Sequence, residues 1–322
     1  PIYLECLKGM TSYSLTNGIN SIFFPGGTRS RSGATESKVK LGLIGSLVEA
    51  QRLYLESEKS NKIFVVTMNI DYHFVLEAKH LIDQYLRQIG KEKYVSSRDL
   101  PSFMTYVNFL KIMLIKESEV YISLGKPMDV FGNKINESGE SIDKFGNVVQ
   151  LKDYFITDGV IKADQQRESI YTRLLGDAVV HEYQKNQIVL SSNIISFVAF
   201  QIMLNSSDTK DVVTFITTKA SNEGISYKDI KIKCKQLIDT LNRMAENGQI
   251  ILSPILQSNA EIDDIINDGL ENLGIYHAKS PLKKDKDVLY SEDLSLLFFY
   301  HNRLTNYPLH ESLDWVTKIS VD

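Results

Sequence analysis

The strongest constraint on this chain is the run at residues 21–33, Ser-Ile-Phe-Phe-Pro-Gly-Gly-Thr-Arg-Ser-Arg-Ser-Gly, where an apolar stretch meets a proline and two glycines. Proline has no N–H to offer a sheet and clashes inside a helix, and glycine weakens both, so the backbone has to turn at Pro25, Gly26 and Gly27. Ile22, Phe23 and Phe24 accordingly read as the end of a buried strand. Glycine tolerates positive φ and close approach, which lets Thr28, Ser30, Ser32 and several N–H groups converge on one concave spot. Arg29 and Arg31 add permanently charged, forked donors that match a phosphate or a carboxylate. On composition alone the same arginines fit solvated surface charge or ion-pair partners equally well.

Residues 24–33 resemble the third motif of the glycerolipid acyltransferases, Phe-Pro-Glu-Gly-Thr-Arg-Ser-Arg-Ser-Gly, at every position but one. The resemblance implies that Gly27, Thr28, Arg29, Ser30 and Arg31 hold the phosphate of the acyl acceptor. The exception is Gly26, which stands where the family has glutamate. Whatever that carboxylate orients, an arginine or an acceptor hydroxyl, must be handled otherwise here. Residues 63–70, Ile-Phe-Val-Val-Thr-Met-Asn-Ile, resemble the apolar strand of the fourth motif, with Thr67 in place of its proline. Gly125, Lys126 and Pro127 resemble the segment that closes the acyltransferase domain, and the aromatic residues 294–307 are similar to a Tyr-Tyr-Arg-Asn-Asn segment of the large bacterial, membrane-associated glycerol-3-phosphate acyltransferases.

An enzyme of that kind acylates the sn-1 position of glycerol 3-phosphate from acyl-CoA or acyl carrier protein, the first step of phospholipid synthesis. The resemblance implies no metal or redox cofactor and a peripheral position on the cytoplasmic face of the inner membrane. Acyl transfer from a thioester to an alcohol needs a base beside the hydroxyl, oriented by a partner. The family supplies it as His-x-x-x-x-Asp upstream of the turn, and none of the six histidines here has aspartate five residues later. No catalytic residue is assigned, and the chain is expected to be an inactive piece of a longer enzyme. The alternative is a non-catalytic regulatory or scaffold protein whose turn binds a phosphorylated metabolite or nucleic acid.

The totals agree with an ordinary globular chain: 322 residues, 43% hydrophobic and 24% charged. A net charge of −4 argues against nucleic-acid binding by bulk electrostatics. Cys6 and Cys234 are too few and too far apart for a disulfide framework or a metal cluster, which fits a reducing compartment. Residues 188–204, the longest apolar run, are interrupted by polar side chains and shorter than the ~20 residues of a membrane span, so they read as a buried helix.

The fold class expected is an α/β acyltransferase-like part over residues 1–128, a hairpin-like connector over 129–163 and a mainly α-helical, winged-helix-like part over 164–322. Apolar spacing predicts helices over residues 4–14, 36–58, 75–90, 101–116, 227–247 and 261–273. The run at 63–70 reads as a central strand covered on both faces, with Asn69, Asp71, Tyr72 and His73 at its C-terminal end as positional site candidates or as ordinary capping and surface polarity. Two Asp-x-Phe-Gly-Asn repeats at 129–133 and 143–147 predict hairpin turns, and their carboxylates lack the alternation of a calcium loop, so no metal is expected. His181 reads as a core histidine, residues 274–289 as a hairpin around Ser280 and Pro281, and Lys279, Lys283, Lys284 and Lys286 as its one nucleic-acid signal.

Overall fold

The computed structural model describes residues 2–27, 29–57, 61–90, 119–209, 211–217, 224–258, 260–273 and 277–315. In chain order, α1 (Ile2–Thr16) and α2 (Leu41–Glu56) precede β1 (Met68–Tyr72), α3 (Ala78–Gln88) and β2 (Val120–Leu124), which pairs with β1. Short strands β3 (Lys134–Ile135), β4 (Ser141–Ile142), β5 (Val148–Val149), β6 (Ile156–Thr157) and β7 (Val160–Ile161) lead to α4 (Gln165–Lys185). Then come β8 (Ile188–Val189), α5 (Ser191–Ser206), α6 (Val212–Thr217), β9 (Ile225–Ser226), α7 (Tyr227–Glu246), β10 (Ile251–Leu252), α8 (Pro254–Gln257), α9 (Ile262–Asn272), β11 (Lys283–Asp285), β12 (Val288–Tyr290) and α10 (Leu294–His301). The helix expected at 101–116 lies outside the described residues. The fold is mixed helix and sheet, with sheets of two or three strands among the described residues.

The chain divides into two compact units. The first comprises Pro1–Arg29, Glu36–Asn69 and Ser123–Asn186; the second comprises Ser30–Thr35, Ile70–Ile122 and Gln187–Asp322. The chain passes from one unit to the other after Arg29, Thr35, Asn69, Ile122 and Asn186. Within the first unit, Phe131 stacks on Tyr154 and meets Tyr171 of α4 edge-on.

In the first unit, α2 buries Ile44, Leu47, Val48 and Tyr54 against Leu175 and Val179 of α4, the face its apolar spacing calls for. α1 packs on α2 the other way round. It buries Thr11 and Ser12, and the Tyr54 hydroxyl donates to the Leu15 carbonyl, while Tyr3, Leu4 and Met10 of the expected core stripe face outward. The two Asp-Phe-Gly-Asn repeats fold alike. Asp129 Oδ1 accepts from the N–H groups of Phe131 and Asn133, and Asp143 Oδ1 from those of Phe145 and Asn147, while Gly132 and Gly146 take positive φ.

Three expectations fail in this unit. Residues 22–24 form no strand, and Ile22 and Phe24 are 75% and 79% exposed. The run at 63–70 is not covered on both faces, because Phe64 and Val66 alternate outward while Ile63 and Thr67 point in. His181 is exposed, since α4 turns Thr172, Leu175, Gly176 and Val179 inward instead of the stripe through Ile170 and Leu174.

Arg52 on α2 donates to Glu168 of α4 and to Glu56, both at 2.7 Å, with its own side chain 10% exposed. Arg52→Ala is expected to lower the free energy of urea unfolding by about 2 kcal/mol, and Arg52→Ala combined with Glu168→Gln by less. Removing one member of a buried pair strands its partner, and the effect sits below the fully buried range because water still reaches Glu56.

In the second unit α5 is the axis. Residues 191–202 are all buried, as expected of the longest apolar run, and α7, α9 and α10 pack around it. Gly269 lets α9 approach closely, since a Cβ there would lie 2.8 Å from the Ser191 carbonyl oxygen. β8 pairs in parallel with β10, and β12 pairs antiparallel with both β11 and β9. The hairpin turns at Lys286, which takes φ +52°, and not at Ser280 and Pro281. α10 is core throughout, with Leu296, Leu297, Phe299 and Tyr300 buried.

Candidate functional site

The glycine-rich segment begins as a tight turn in the first unit. The Gly27 N–H donates to the Phe24 carbonyl at 3.0 Å, Gly27 takes φ +70°, and the Pro25 carbonyl accepts from the Lys40 N–H at 2.7 Å. Gly27 and Arg29 are exposed, and Thr28 lies outside the described residues.

From Ser30 to Thr35 the segment belongs to the second unit, where side chains distant in sequence hold it. Asn302 Nδ2 donates to the Ser32 carbonyl at 2.8 Å across 270 residues, and Asn306 Nδ2 to the Thr35 carbonyl at 3.0 Å. Thr35 Oγ1 donates to Gln187 Oε1 at 2.9 Å, and Gln187 Nε2 donates in turn to the Arg303 carbonyl at 2.8 Å. Gly33, at φ +85°, sits so close to α10 that a Cβ would fall 2.0 Å from the Phe299 carbonyl oxygen.

This clamp spends some donors and leaves others. Ser30 Oγ gives its one proton to the Ala34 carbonyl at 2.6 Å, so that hydroxyl has no proton for a ligand. Ser32 Oγ is an acceptor for the Ala34 N–H. The N–H groups of Arg31, Ser32 and Gly33 donate to no described residue, and half-buried Arg31 makes no hydrogen bond or ion pair to one. A run of unspent N–H groups beside a guanidinium is the arrangement that takes an anion.

The candidates that follow residue 68 are structural. In the first unit Asn69 Nδ2 donates to the Tyr183 carbonyl at 2.8 Å. In the second, Asp71 Oδ2 accepts from the Ile188 N–H at 3.1 Å, and burial raises its carboxyl above the ordinary range although that bond and Arg303 oppose it. Tyr72 lies under the Arg303 guanidinium, and His73 Nδ1 is 3.0 Å from Ser192 Oγ, with burial pushing the imidazole down. Among the other histidines, His301 is enclosed by Phe197, Phe200 and Phe298 and bonded to Gln201, His277 is bonded to the Tyr300 hydroxyl, His80 to Gln84, and exposed His310 lies 3.4 Å from the Glu311 carboxylate.

The first unit also holds a cavity of about 570 Å³. Phe23, Phe24 and Pro25, which run into the Gly26–Gly27 turn, form part of its wall, with Val65, Val66, Leu124, Leu175 and Val179 elsewhere. Thr67 also lines it, 4% exposed, with a hydroxyl that has no hydrogen-bond partner among the described residues. Gln187, Asn302 and Asn306 lie far from the glycine-rich motif in sequence, so no local spacing points to the clamp.

No family model matches the chain, and no curated protein and no solved structure matches it.

Proposed function

We propose that the chain carries the acceptor-binding and acyl-binding parts of a glycerol-3-phosphate O-acyltransferase. The observation that carries this reading is the apolar cavity whose wall runs into the glycine-rich turn. A space of that size with a mainly aliphatic and aromatic lining suits a hydrocarbon chain, and Thr67 offers one buried, unspent hydroxyl to a polar atom of the ligand. The phosphate of glycerol 3-phosphate is assigned to the second-unit part of the glycine-rich segment, where Arg31 and the N–H groups of Arg31, Ser32 and Gly33 have no partner among the described residues; the sequence resemblance adds Gly27, Thr28, Arg29 and Ser30. The acyl group comes from acyl-CoA or acyl carrier protein. None of the six histidines has the His-x-x-x-x-Asp spacing, so the role assigned to these residues is substrate binding, and the proton acceptor is not assigned.

No described helix is long and apolar enough to cross a membrane. The reading places the protein peripherally, on the cytoplasmic face of the inner membrane, and the outward apolar stripe of α1 formed by Ile2, Tyr3, Met10 and Tyr13 supports that position. The nucleic-acid alternative has less behind it. Lys283 pairs with Glu292, Lys231 with Asp263, and the Lys284 ammonium sits 3.5 Å from the centre of the Tyr227 ring, so these lysines are engaged within the fold. α9 carries Asp263, Asp264, Asp268 and Glu271, which would repel a phosphate backbone.

The test is acyl-CoA binding by fluorescence displacement. Palmitoyl-CoA is expected to bind more tightly than decanoyl-CoA, each added methylene contributing about 0.8 kcal/mol while it still finds apolar wall. Val66→Asp places a charge in the lining at a half-exposed position, so folding survives while affinity falls at least tenfold. Equal binding of both chain lengths, or unchanged affinity in the variant, would remove the acyl reading.

A further inference from the structure

The cavity of the first unit holds a donor that the fold leaves over. Four buried side-chain atoms of that unit lack a hydrogen-bond partner among the described residues: the hydroxyls of Ser12, Ser46 and Thr67, and Asn69 Oδ1. Of these residues only Thr67 lines the cavity. The backbone fixes where its side chain stands, because the Thr67 carbonyl accepts from the Gly125 N–H at 2.9 Å while Ile63 and Thr67 point inward. Gly125 leaves room for the hydroxyl, since a Cβ there would collide with Thr67 Oγ1 and lie 3.1 Å from Asn186 Nδ2 and 3.3 Å from Glu182 Oε2. Those two groups bond to each other at 3.0 Å rather than to Thr67.

Elsewhere the buried lining is apolar or already engaged. Ile44, Leu47, Leu175 and Val179 carry no polar side-chain atom, the Tyr54 hydroxyl donates to the Leu15 carbonyl, and Lys62 Nζ donates to the Gly139 carbonyl at 2.8 Å. The polar feature therefore sits at one end. Thr67 stands beside the last turn of α4, where Tyr183 also lines the cavity, and Leu175 lies eight residues back, about 12 Å along the helix.

A hydroxyl buried without a partner costs free energy that a ligand's acceptor recovers. An acyl thioester has one strong acceptor on its hydrocarbon part, the carbonyl oxygen at the head of the chain. The methylenes beyond it have none. We infer that Thr67 Oγ1 donates a hydrogen bond to the carbonyl oxygen of a bound acyl thioester, which sets the head of the chain at the Thr67 end of the cavity and runs the tail towards Leu175. The inference rests on the acyl-binding reading above and adds to it the atom of the ligand that the cavity recognises. All the residues it uses belong to the first unit.

Displacement of a fluorescent fatty-acid probe from the 322-residue chain tests it, with palmitoyl-CoA and with S-hexadecyl-CoA, a thioether of equal chain length that lacks the carbonyl oxygen. The unsubstituted protein is expected to bind the thioester about fivefold more tightly, the worth of one hydrogen bond between uncharged groups. Thr67→Val, which exchanges the hydroxyl for a methyl group, is expected to bind the two ligands alike, and Thr67→Ser to keep the preference. Thr67→Ala carries the comparison if Thr67→Val fails to fold. Equal affinity for the two ligands in the unsubstituted protein, a preference that survives loss of the hydroxyl, or its loss in Thr67→Ser would overturn the role of Thr67 alone. Failure of both ligands to bind would remove the acyl reading beneath it.

Discussion

Gly33→Ala is expected to lower the stability of the second unit by about 3 kcal/mol or more, the sum of a left-handed backbone at a residue with a side chain and a clash that nothing nearby can relieve. The added methyl would meet the Phe299 carbonyl oxygen at 2.0 Å and its carbon at 2.9 Å. These atoms are backbone of α10, whose neighbours Leu297 and Tyr300 are locked in the core, so neither side can yield cheaply. The right comparison is Gly139→Ala, at φ +78° with nothing within 4 Å of the added carbon, where only the backbone strain of about 1 kcal/mol applies. Thermal unfolding of the two variants separates the contributions. If Gly33→Ala is no worse than Gly139→Ala, the segment at residues 30–35 is not held against α10 as described.

Acidification is expected to weaken the second unit strongly between pH 7 and pH 5. Burial holds His277 at a pKa of about 4, with Asp293 opposing, and His301 at about 3, with Asn302 opposing. Unfolded, both revert to about 6.5. Below that value the unfolded chain takes up protons that the folded chain refuses, so the stabilisation is complete above about pH 6.5 and is lost as pH falls towards the folded values. At pH 5 the two groups together are expected to cost about 4 kcal/mol relative to pH 7. Asp71 and Asp83 act in the opposite sense, because burial raises both carboxyls and their protonation then favours the folded state at acid pH. Urea unfolding at the two pH values measures the balance, and His277→Gln is expected to remove roughly half of the slope. A flat profile would mean that these imidazoles are open to water.

Helices were legible where apolar residues dominate or repeat on one face, because the stripe on α2 and the long, mainly apolar run of α5 each leave one arrangement that hides them from water. α1 was legible as a helix and misleading as to its face: its apolar residues spell a core stripe, yet contact with α2 is made through Thr11 and Ser12. Strand position was readable near residues 63–70, whereas coverage was not. β-branched composition says that a segment prefers to be extended and is silent on what lies over it. The turn at Pro25 to Gly27 followed from backbone chemistry alone. The supports of residues 30–35 did not, because Asn302 and Asn306 donate through side-chain amides to the Ser32 and Thr35 carbonyls and Gln187 accepts from the Thr35 hydroxyl, each more than a hundred residues away, a relation that no local spacing encodes.

Binding of glycerol 3-phosphate to the unsubstituted chain and to Arg31→Gln, by calorimetry at two salt concentrations, tests the central claim most directly. Saturable one-to-one binding that weakens with salt and falls by tenfold or more in Arg31→Gln, with the unfolding midpoint unchanged, is the result expected of a guanidinium that has no partner among the described residues. Equal affinity in the two proteins, or no binding to either, would contradict the assignment of this segment as a phosphate-ester site.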